Sequence, residues 1–451
     1  MTATGGSLVV ARGATIDVSG SAKQFFDVAE YADAGRIGLS AVGGDVRLEA
    51  GSRLDLAAHP RGGDAGTLSL AASQGGTVVL DGLIAAQAGG NGGKAGSFAL
   101  DIEALPDFAG VSQRLNDAGF NRSRQFRIRQ GNVALGGFTQ VEDFGLTADR
   151  GSIDISGTVD ARSAYGGAIR ITAGNGVAMQ AGAQLLAGAT GSLGNGRVTL
   201  EAAGGQLNLQ GGLIDVAGNE GGKVRLRARQ NATHDDVAVG ALNVAVNGAR
   251  SAVLEGVSVY DVKDYDGATV DSVKPDAIAD AARFRAASGG VAARLGTGLA
   301  VMPGIEVRSA GDLALNSDWN LFSDFSGARE GTLTLRAGGN LAINGHLSDG
   351  FDAADRSGRL QAGPSWNLRL VAGGELASAD AMALKPLAAQ AAGKGSITVG
   401  TANTAVPTDI DPKPDNGAGK LVRTGTGDLE VRAGRDLKLA HKDSVIYTAG
   451  R

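Results

Sequence analysis

One short phrase recurs along this chain of 451 residues and constrains its fold more than any other feature. A glycine is followed by two apolar residues with a single small or polar residue between them, as in Gly66-Thr-Leu-Ser-Leu and Gly331-Thr-Leu-Thr-Leu. Alternation with a period of two is typical of a strand that buries one face. The phrase therefore predicts many short strands, in which residues such as Leu68 and Leu70 point inward.

The spacing of the phrases predicts how these strands are arranged. Gly35, Gly66 and Gly96 follow one another at a nearly constant interval, and Gly167 and Gly196 repeat it further along the chain. Two further strand patterns follow within each interval. Self-similarity with a period of 20–50 residues is the mark of a repeat architecture. The fold class predicted is all-β: a parallel β-helix, or solenoid, with three short strands per coil of about 30 residues.

An antiparallel sandwich is the competing architecture, because strands at regular short spacing are typical of it too. Pairs such as Asn195-Gly196 and Asp81-Gly82 are compatible with hairpin turns. Two features favour the solenoid instead. The period continues along most of the sequence, and aromatic residues make up only 4% of the chain, too few for a large globular core.

The composition narrows the function classes. The 73 glycines are predicted to occupy corners where the chain turns with positive φ. Cysteine is absent, which excludes thiol catalysis and cysteine-type zinc sites. The net charge of −5, from 42 basic and 47 acidic residues, gives no general attraction to nucleic acid, and none is expected as a partner. No segment has the ~18 consecutive apolar residues that suggest a membrane span.

The repeat divides the chain. Coils of the β-helix are predicted over 1–102, 131–230 and 291–451. Residues 103–130 interrupt the first stretch, and their apolar residues have helical spacing, which predicts a short helix and loop lying over one face. These apolar residues are Leu105, Phe108, Val111 and Leu115.

Three further stretches depart from the pattern. Residues 231–290 predict an irregular insertion with a helix at 275–287 that Pro275 opens. Residues 375–392 are rich in alanine and are interpreted as a loop with some helical character, and 405–419 as a loop rich in proline, aspartate and glycine. Insertions in repeat proteins usually lie on one side, often the binding side, although they also serve as simple decoration.

No residue pattern predicts catalysis. A polysaccharide lyase or hydrolase on a β-helix needs carboxylates that project from successive coils at one height, and no such series is evident. His234-Asp235-Asp236 is the nearest approach to a general-base cluster, but its irregular loop favours the interpretation as a solvated acidic turn. The loop Asp264-Tyr-Asp266-Gly267 lacks the closing glutamate of a calcium loop. We expect no catalytic residue, no metal site and no cofactor.

Four arginines are the candidate ligand-binding residues. Arg122, Arg124, Arg127 and Arg129 lie close together in one short segment. A guanidinium binds sulfate and carboxylate groups through two parallel hydrogen bonds, so these four arginines are candidates for an anionic-glycan site. A solvated strand face beside the inserted helix is the alternative.

Several longer phrases resemble a known family. Residues 44–56 have the sequence Gly-Asp-Val-Arg-Leu-Glu-Ala-Gly-Ser-Arg-Leu-Asp-Leu. The sequence around Trp319 and the phrase Ser444-Val-Ile-Tyr-Thr-Ala-Gly450 are more specific for the family. With these phrases the chain resembles the filamentous haemagglutinin family of large bacterial exoproteins over essentially its whole length. The resemblance supplies no functional residues to transfer.

The resemblance implies a right-handed β-helix in an exoprotein of a Gram-negative bacterium, exported by two-partner secretion through an outer-membrane transporter. It implies a secreted or cell-surface location and adhesion to host cells, other bacteria or glycans. The N-terminal secretion domain of the family is missing, so an internal or near-C-terminal segment is expected. The stem of a contact-dependent toxin-delivery exoprotein and a β-helical polysaccharide enzyme are the alternative functions.

Overall fold

The computed structural model describes residues 1–72, 74–90, 92–296, 298–327, 329–402 and 417–450. The chain forms two compact units. The first contains Met1–Arg227 and Val239–Val253, and the second contains Ala228–Ala238 and Leu254–Arg451. Strands account for 42% of the structure and helices for 11%, as an all-β fold requires.

In the first unit each regular coil contributes one strand to each of three faces, and the strands of a face pair in parallel. The first face is one sheet of Thr2–Ala3, Arg36–Ala41, Thr67–Ala72, Ser97–Ile102, Ser123–Ile128, Asp143–Ala148, Ala168–Ala173, Arg197–Ala202 and Gly222–Arg229 up to residue 227. The second face consists of two sheets, the first of Leu8–Val10, Val46–Leu48 and Val78–Leu80, and the second of Val133–Leu135, Ile153–Ile155, Val177–Met179, Leu207–Leu209 and Val239–Leu242. The third face also consists of two sheets, the first of Thr15–Asp17, Arg53–Asp55 and Leu83–Ala85, and the second of Phe138–Gln140, Thr158–Asp160, Gln184–Leu186, Leu213–Asp215 and Ala245–Asn247.

The register between coils confirms the parallel β-helix and excludes the antiparallel sandwich. Leu68 pairs with Phe98 and Leu70 with Leu100, so that inward-facing side chains stack on inward-facing side chains from coil to coil. All four are buried, at no more than 3% exposure. An antiparallel pair does occur in the hairpin Ala22–Phe25 with Val28–Tyr31, which is an excursion from the coil.

The glycines that open the strands differ from the prediction. Positive φ is found at glycines such as Gly131, where the chain turns. Gly66 and Gly167, in contrast, are not in the left-handed region. A Cβ atom at Gly66 would overlap the carbonyl oxygen of Gly35, and one at Gly167 would overlap that of Ala161. At these two positions, close approach of backbone, rather than a turn, is what requires glycine.

Helix α1, Phe108–Ala118, lies inside the interruption at 103–130 and takes the place of a second and third strand in its coil. The Asp107 carboxylate accepts a hydrogen bond from the backbone N–H of Gly110 at 2.8 Å and caps the N-terminus. Gly119, with φ of 86°, ends the helix in the left-handed conformation. Phe108 and Leu115 form its buried side.

The second unit repeats the arrangement of three faces. Its first sheet contains Ala249–Asp261 from residue 254 onward, Ala300–Ser309, Thr332–Ala337, Asn367–Ala372 and Leu429–Ala433. Its second contains Leu313–Leu315, Leu341–Ile343, Ile397–Val399 and Leu437–Leu439. Its third contains Trp319–Asn320, Leu347–Ser348, Leu421–Thr424 and Val445–Thr448. Stacked leucine, isoleucine and valine side chains, with Trp319 and Trp366, form its core.

Helix α2, Val270–Leu295, is longer than the segment 275–287 predicted from the sequence, and Pro275 lies inside it instead of opening it. The helix begins earlier because Thr269 and Ser272 form a capping box. It continues because Val291 is still buried against the unit, and it ends at Gly296 in the left-handed conformation. The helix therefore extends past residue 290, where the insertion was expected to end.

The remaining insertions are short. Residues 375–392 form turns with one 3₁₀ helix, Leu387–Ala389, and no α-helix. Within the loop predicted at 405–419, residues 405–416 lie outside the described residues. Two further short helices of the second unit are α3, Leu321–Asp324, and the 3₁₀ helix Val262–Asp264.

Candidate functional site

Arg124, a residue of the predicted anionic-glycan cluster, points into the first unit under α1. Its side chain is buried, and burial lowers the pKa of the guanidinium to about 10. It donates hydrogen bonds to the carbonyl oxygens of Phe120 at 2.7 Å and Ser112 at 3.2 Å, and to the Asn116 side chain at 2.7 Å. Arg124 therefore holds the C-terminal half of α1 in place through hydrogen bonds. Its positive charge also stabilises the negative end of the helix dipole.

The other three arginines each face a carboxylate of the first unit. Arg127 pairs with Asp149 at 2.8 Å, and Arg129 binds Asp101 through two hydrogen bonds of 2.7 and 2.8 Å. Arg122 lies 3.8 Å from a third carboxylate. The geometry does not bring the four into one anion site, because one points inward and the others are neutralised separately. An anionic-glycan site at these residues stays a prediction.

A second cluster lies in the second unit and includes His234 of the noted sequence His234-Asp235-Asp236. His234 Nδ1 lies 3.0 Å from Ser258 Oγ, and Nε2 lies 3.2 Å from Asp280 Oδ2 on α2. The hydroxyl of Tyr260 donates to the same Asp280 oxygen at 2.9 Å. Burial, reinforced by this carboxylate, raises the pKa of Tyr260. A serine, a histidine and an aspartate are thus joined in series, as in serine hydrolases.

The surroundings argue for an anchor instead of a nucleophile. Ser258 is 5% exposed, and its hydroxyl donates to Gln230 Oε1 at 2.7 Å, in competition with the imidazole. His234 Nδ1 is itself 2.9 Å from that Gln230 oxygen. Asp236 binds Arg294 of α2 at 2.7 Å. These contacts all tie the loop at 230–238 to its own unit and to helix α2, so we interpret the cluster as the attachment of that helix.

A solvent-facing trough of about 640 Å³ lies on the outer face of the second sheet of the second unit. Successive strands supply its floor with the outward side chains of Ala314, Ala342, Thr398 and Lys438, which follow one another in register. With strands ~4.8 Å apart, the floor extends about 14 Å across the coils. Its volume lies within the range of ordinary ligand sites.

Insertions form the two sides of this trough. On one side, Gly393 is held at the edge because Asn340 donates from Nδ2 to its carbonyl oxygen at 3.1 Å, and Lys394 binds Asp312 at 2.7 Å. Ala268, from the loop that precedes α2, and residues 400–402 line the other side. Ala268 has φ of 48°, a strained conformation for a residue with a side chain.

Amide and hydroxyl groups dominate the polar lining. Asn340 Oδ1 accepts the backbone N–H of Ser396 at 3.0 Å, and Asn344 Nδ2 donates to Asn316 Oδ1 at 2.9 Å, so that both amides are held in fixed orientations. The charged groups in and beside the trough are paired within the unit: Asp312 with Lys394, and Lys438 with Asp436 at 3.7 Å. The trough offers fixed hydrogen-bonding groups with little net charge.

Sequence reasoning missed this site. The available signal was a polar residue immediately before three of the second-sheet strands, each with an outward alanine or threonine at its middle position; the polar residues are Asp312, Asn340 and Ser396. In the described part of the chain, no group of three or more histidine, cysteine or acidic residues is placed to hold a metal ion. Among the same residues, no helix is long and apolar enough to cross a membrane.

Comparison of the chain with protein-family models, with curated proteins and with solved structures finds no match.

Proposed function

We propose that the chain is a structural and adhesive segment of a secreted, haemagglutinin-like exoprotein, and that it attaches to cells or glycans. The observation that carries the proposal is the trough of the second unit, where insertions wall a sheet face with fixed amides and hydroxyls. A site with this shape and lining suits binding better than acid–base chemistry. The phrases that resemble filamentous haemagglutinins support the bacterial surface or the medium as its location.

The rest of the assignment rests on that resemblance. In the full-length protein, the partners would be an outer-membrane two-partner-secretion transporter and a receptor or glycan on a host cell or another bacterium. Parallel coils support this role, because each added coil lengthens the solenoid while its backbone stays paired with its neighbours. The stem of a toxin-delivery exoprotein uses the same architecture and stays an alternative.

Attachment of the purified chain to cells tests the proposal. Fluorescently labelled chain is added to epithelial cells and to Gram-negative bacteria, and saturable binding that unlabelled chain displaces is expected. A labelled, unrelated β-helical protein of similar charge serves as the control. Binding no greater than that of the control would contradict the adhesive function.

The enzyme alternative has its own test. Acidic and neutral polysaccharides are incubated with the chain and with a Ser258→Ala variant, and new reducing ends are measured. We expect no turnover by either protein. Turnover that the substitution abolishes would make the His234 cluster catalytic and would displace the adhesive proposal.

A further inference from the structure

We infer that the trough of the second unit binds an uncharged oligosaccharide of a few sugar units, laid across the coils. This inference rests on the proposed adhesive function and assigns its site and ligand class. Four properties of the trough carry it: its depth, the pairing of its backbone, the chemistry of its side chains, and its charge.

The depth comes from the insertions. The corresponding sheet face of the first unit has a similar floor, with Ala134, Asp154 and Ala178 pointing outward, but its concavity holds only about 250 Å³. In the second unit the same kind of floor lies between Gly393 and Ala268, and the volume is about 640 Å³. Walls matter for affinity because a ligand gains by removing its surface from water on more than one side.

The backbone of the floor disfavours an extended peptide. The strand Leu341–Ile343 is paired on both sides, with Leu313–Leu315 and with Ile397–Val399. A peptide that adds itself to a sheet needs an open strand edge, and the inner strands Leu341–Ile343 and Ile397–Val399 offer none, because each is paired on both sides. A ligand over the middle of the floor must instead be bound by side chains.

The side chains suit sugar hydroxyls. Asn340 already donates to Gly393 and accepts from Ser396, and Asn344 donates to Asn316, so each amide keeps one N–H and at least one oxygen lone pair for a ligand. The half-buried Thr398 has a hydroxyl that both donates and accepts. Ala314 and Ala342 leave a flat apolar surface between these groups, on which the C–H face of a pyranose can lie. An oligosaccharide repeats its hydroxyl groups from one sugar unit to the next, and the trough repeats its polar side chains from one coil to the next.

The charge decides between sugar classes. The charged groups in and beside the trough have both signs, and they form the two ion pairs Asp312–Lys394 and Lys438–Asp436. Sulfated or uronic-acid polymers would meet Asp312 and Asp436 without a surplus of cations to compensate. An uncharged sugar chain avoids that repulsion, so the ligand class differs from the anionic glycan that the arginines of the first unit predict.

The test is isothermal titration calorimetry of the full chain with glucan, mannan and galactan oligosaccharides, and with dextran sulfate as the anionic comparison. Ala342→Trp fills the middle of the floor, and Thr398→Arg fills the next position. Ala99→Trp is the matched control, because Ala99 also points outward from a strand but lies on the first sheet of the first unit. Circular dichroism spectra and melting curves verify that each variant is folded.

We expect at least one neutral oligosaccharide to bind, with at least a tenfold loss of affinity in Ala342→Trp and Thr398→Arg and none in Ala99→Trp. Binding that survives both trough substitutions overturns the inference and leaves the adhesive function intact. Binding of dextran sulfate alone also overturns the inference and leaves the adhesive function intact. Binding of cells without binding of any oligosaccharide has the same meaning. If the chain binds neither cells nor sugars, both proposals fail.

Discussion

We expect the buried carboxyl group of Asp349 to make the stability of the second unit depend on pH. Asp349 is 2% exposed and accepts a hydrogen bond of 2.6 Å from the backbone N–H of Trp366. It thus joins the two ends of the loop at 350–365. Burial raises its pKa from the ordinary 3.8 to about 6, although hydrogen bonds from Trp366, Gly350 and Ser365 oppose that shift.

The sign follows from proton binding. Because the pKa is higher in the folded state, the folded protein holds the proton more tightly, and protonation of Asp349 favours folding. The stabilisation is fully present below pH 3.8 and is lost as the pH rises through about 6. At a pH one unit below the folded pKa, the folded state is favoured about tenfold, which is about 1.4 kcal/mol relative to neutral pH.

Replacement of Asp349 by asparagine isolates this contribution from the other carboxyl groups. Asparagine has nearly the same shape, retains an oxygen that accepts from Trp366, and does not titrate. Both tryptophans of the chain, Trp319 and Trp366, lie in the second unit, so the fluorescence change during urea unfolding reports on that unit. The free energy of unfolding is measured for both proteins at pH 5 and at pH 7.5.

The stability of Asp349→Asn relative to the natural chain is expected to rise by about 1.4 kcal/mol between pH 5 and pH 7.5. A Ser365→Ala variant keeps the charge and removes a hydroxyl that lowers the pKa of Asp349, so its pH dependence should move to higher pH. Equal pH profiles for the natural chain and Asp349→Asn would refute the reasoning, because the carboxyl group would then not titrate differently in the folded state.

Three further predictions test the packing. Arg124→Met should destabilise the α1 region of the first unit by about 3 kcal/mol, because the carbonyl and amide oxygens on and beside the helix lose a buried hydrogen-bond donor. Faster amide hydrogen exchange in 108–118 would show this loss of stability. Gly66→Ala should cost about 2 kcal/mol through contact with backbone, whereas Gly38→Ala, where a Cβ atom meets nothing within 4 Å, should be nearly neutral in thermal unfolding. His234→Ala should speed hydrogen exchange in 230–238 by roughly tenfold without changing exchange in α1; unchanged exchange in 230–238 would contradict the anchoring role.

The strand pattern and its period were enough to predict the fold class. Inward positions such as Leu68, Leu335 and Leu370 could be recognised because a strand with one buried face alternates strictly, and each phrase shows that alternation. The repeat then restricted the possible sheet topologies. When a strand recurs at a regular interval with two other strands in between, it pairs with the equivalent strand of the next coil.

Side-chain partners could not be predicted in the same way. Arg124 has the same neighbours in sequence whether it faces water or the underside of α1, and only the position of the helix decides between them. The asparagines of the trough have the same ambiguity. The orientation of Asn340 depends on Gly393 and Ser396, which lie far from it in the sequence, and no local pattern encodes a contact of that range.

Insertions determine which parts of a solenoid surface can bind. A regular coil presents a nearly flat outer face, because small outward side chains repeat from strand to strand and the backbone between neighbouring coils is paired. Such a face gains depth only where chain that does not belong to the coil stands beside it. In the second unit, the segments around Gly393 and around Ala268 stand beside the same face of one sheet, at its two opposite borders. The strained backbone of Ala268 is tolerated there. The irregular sequence that obscures the repeat is therefore where the search for binding residues should begin.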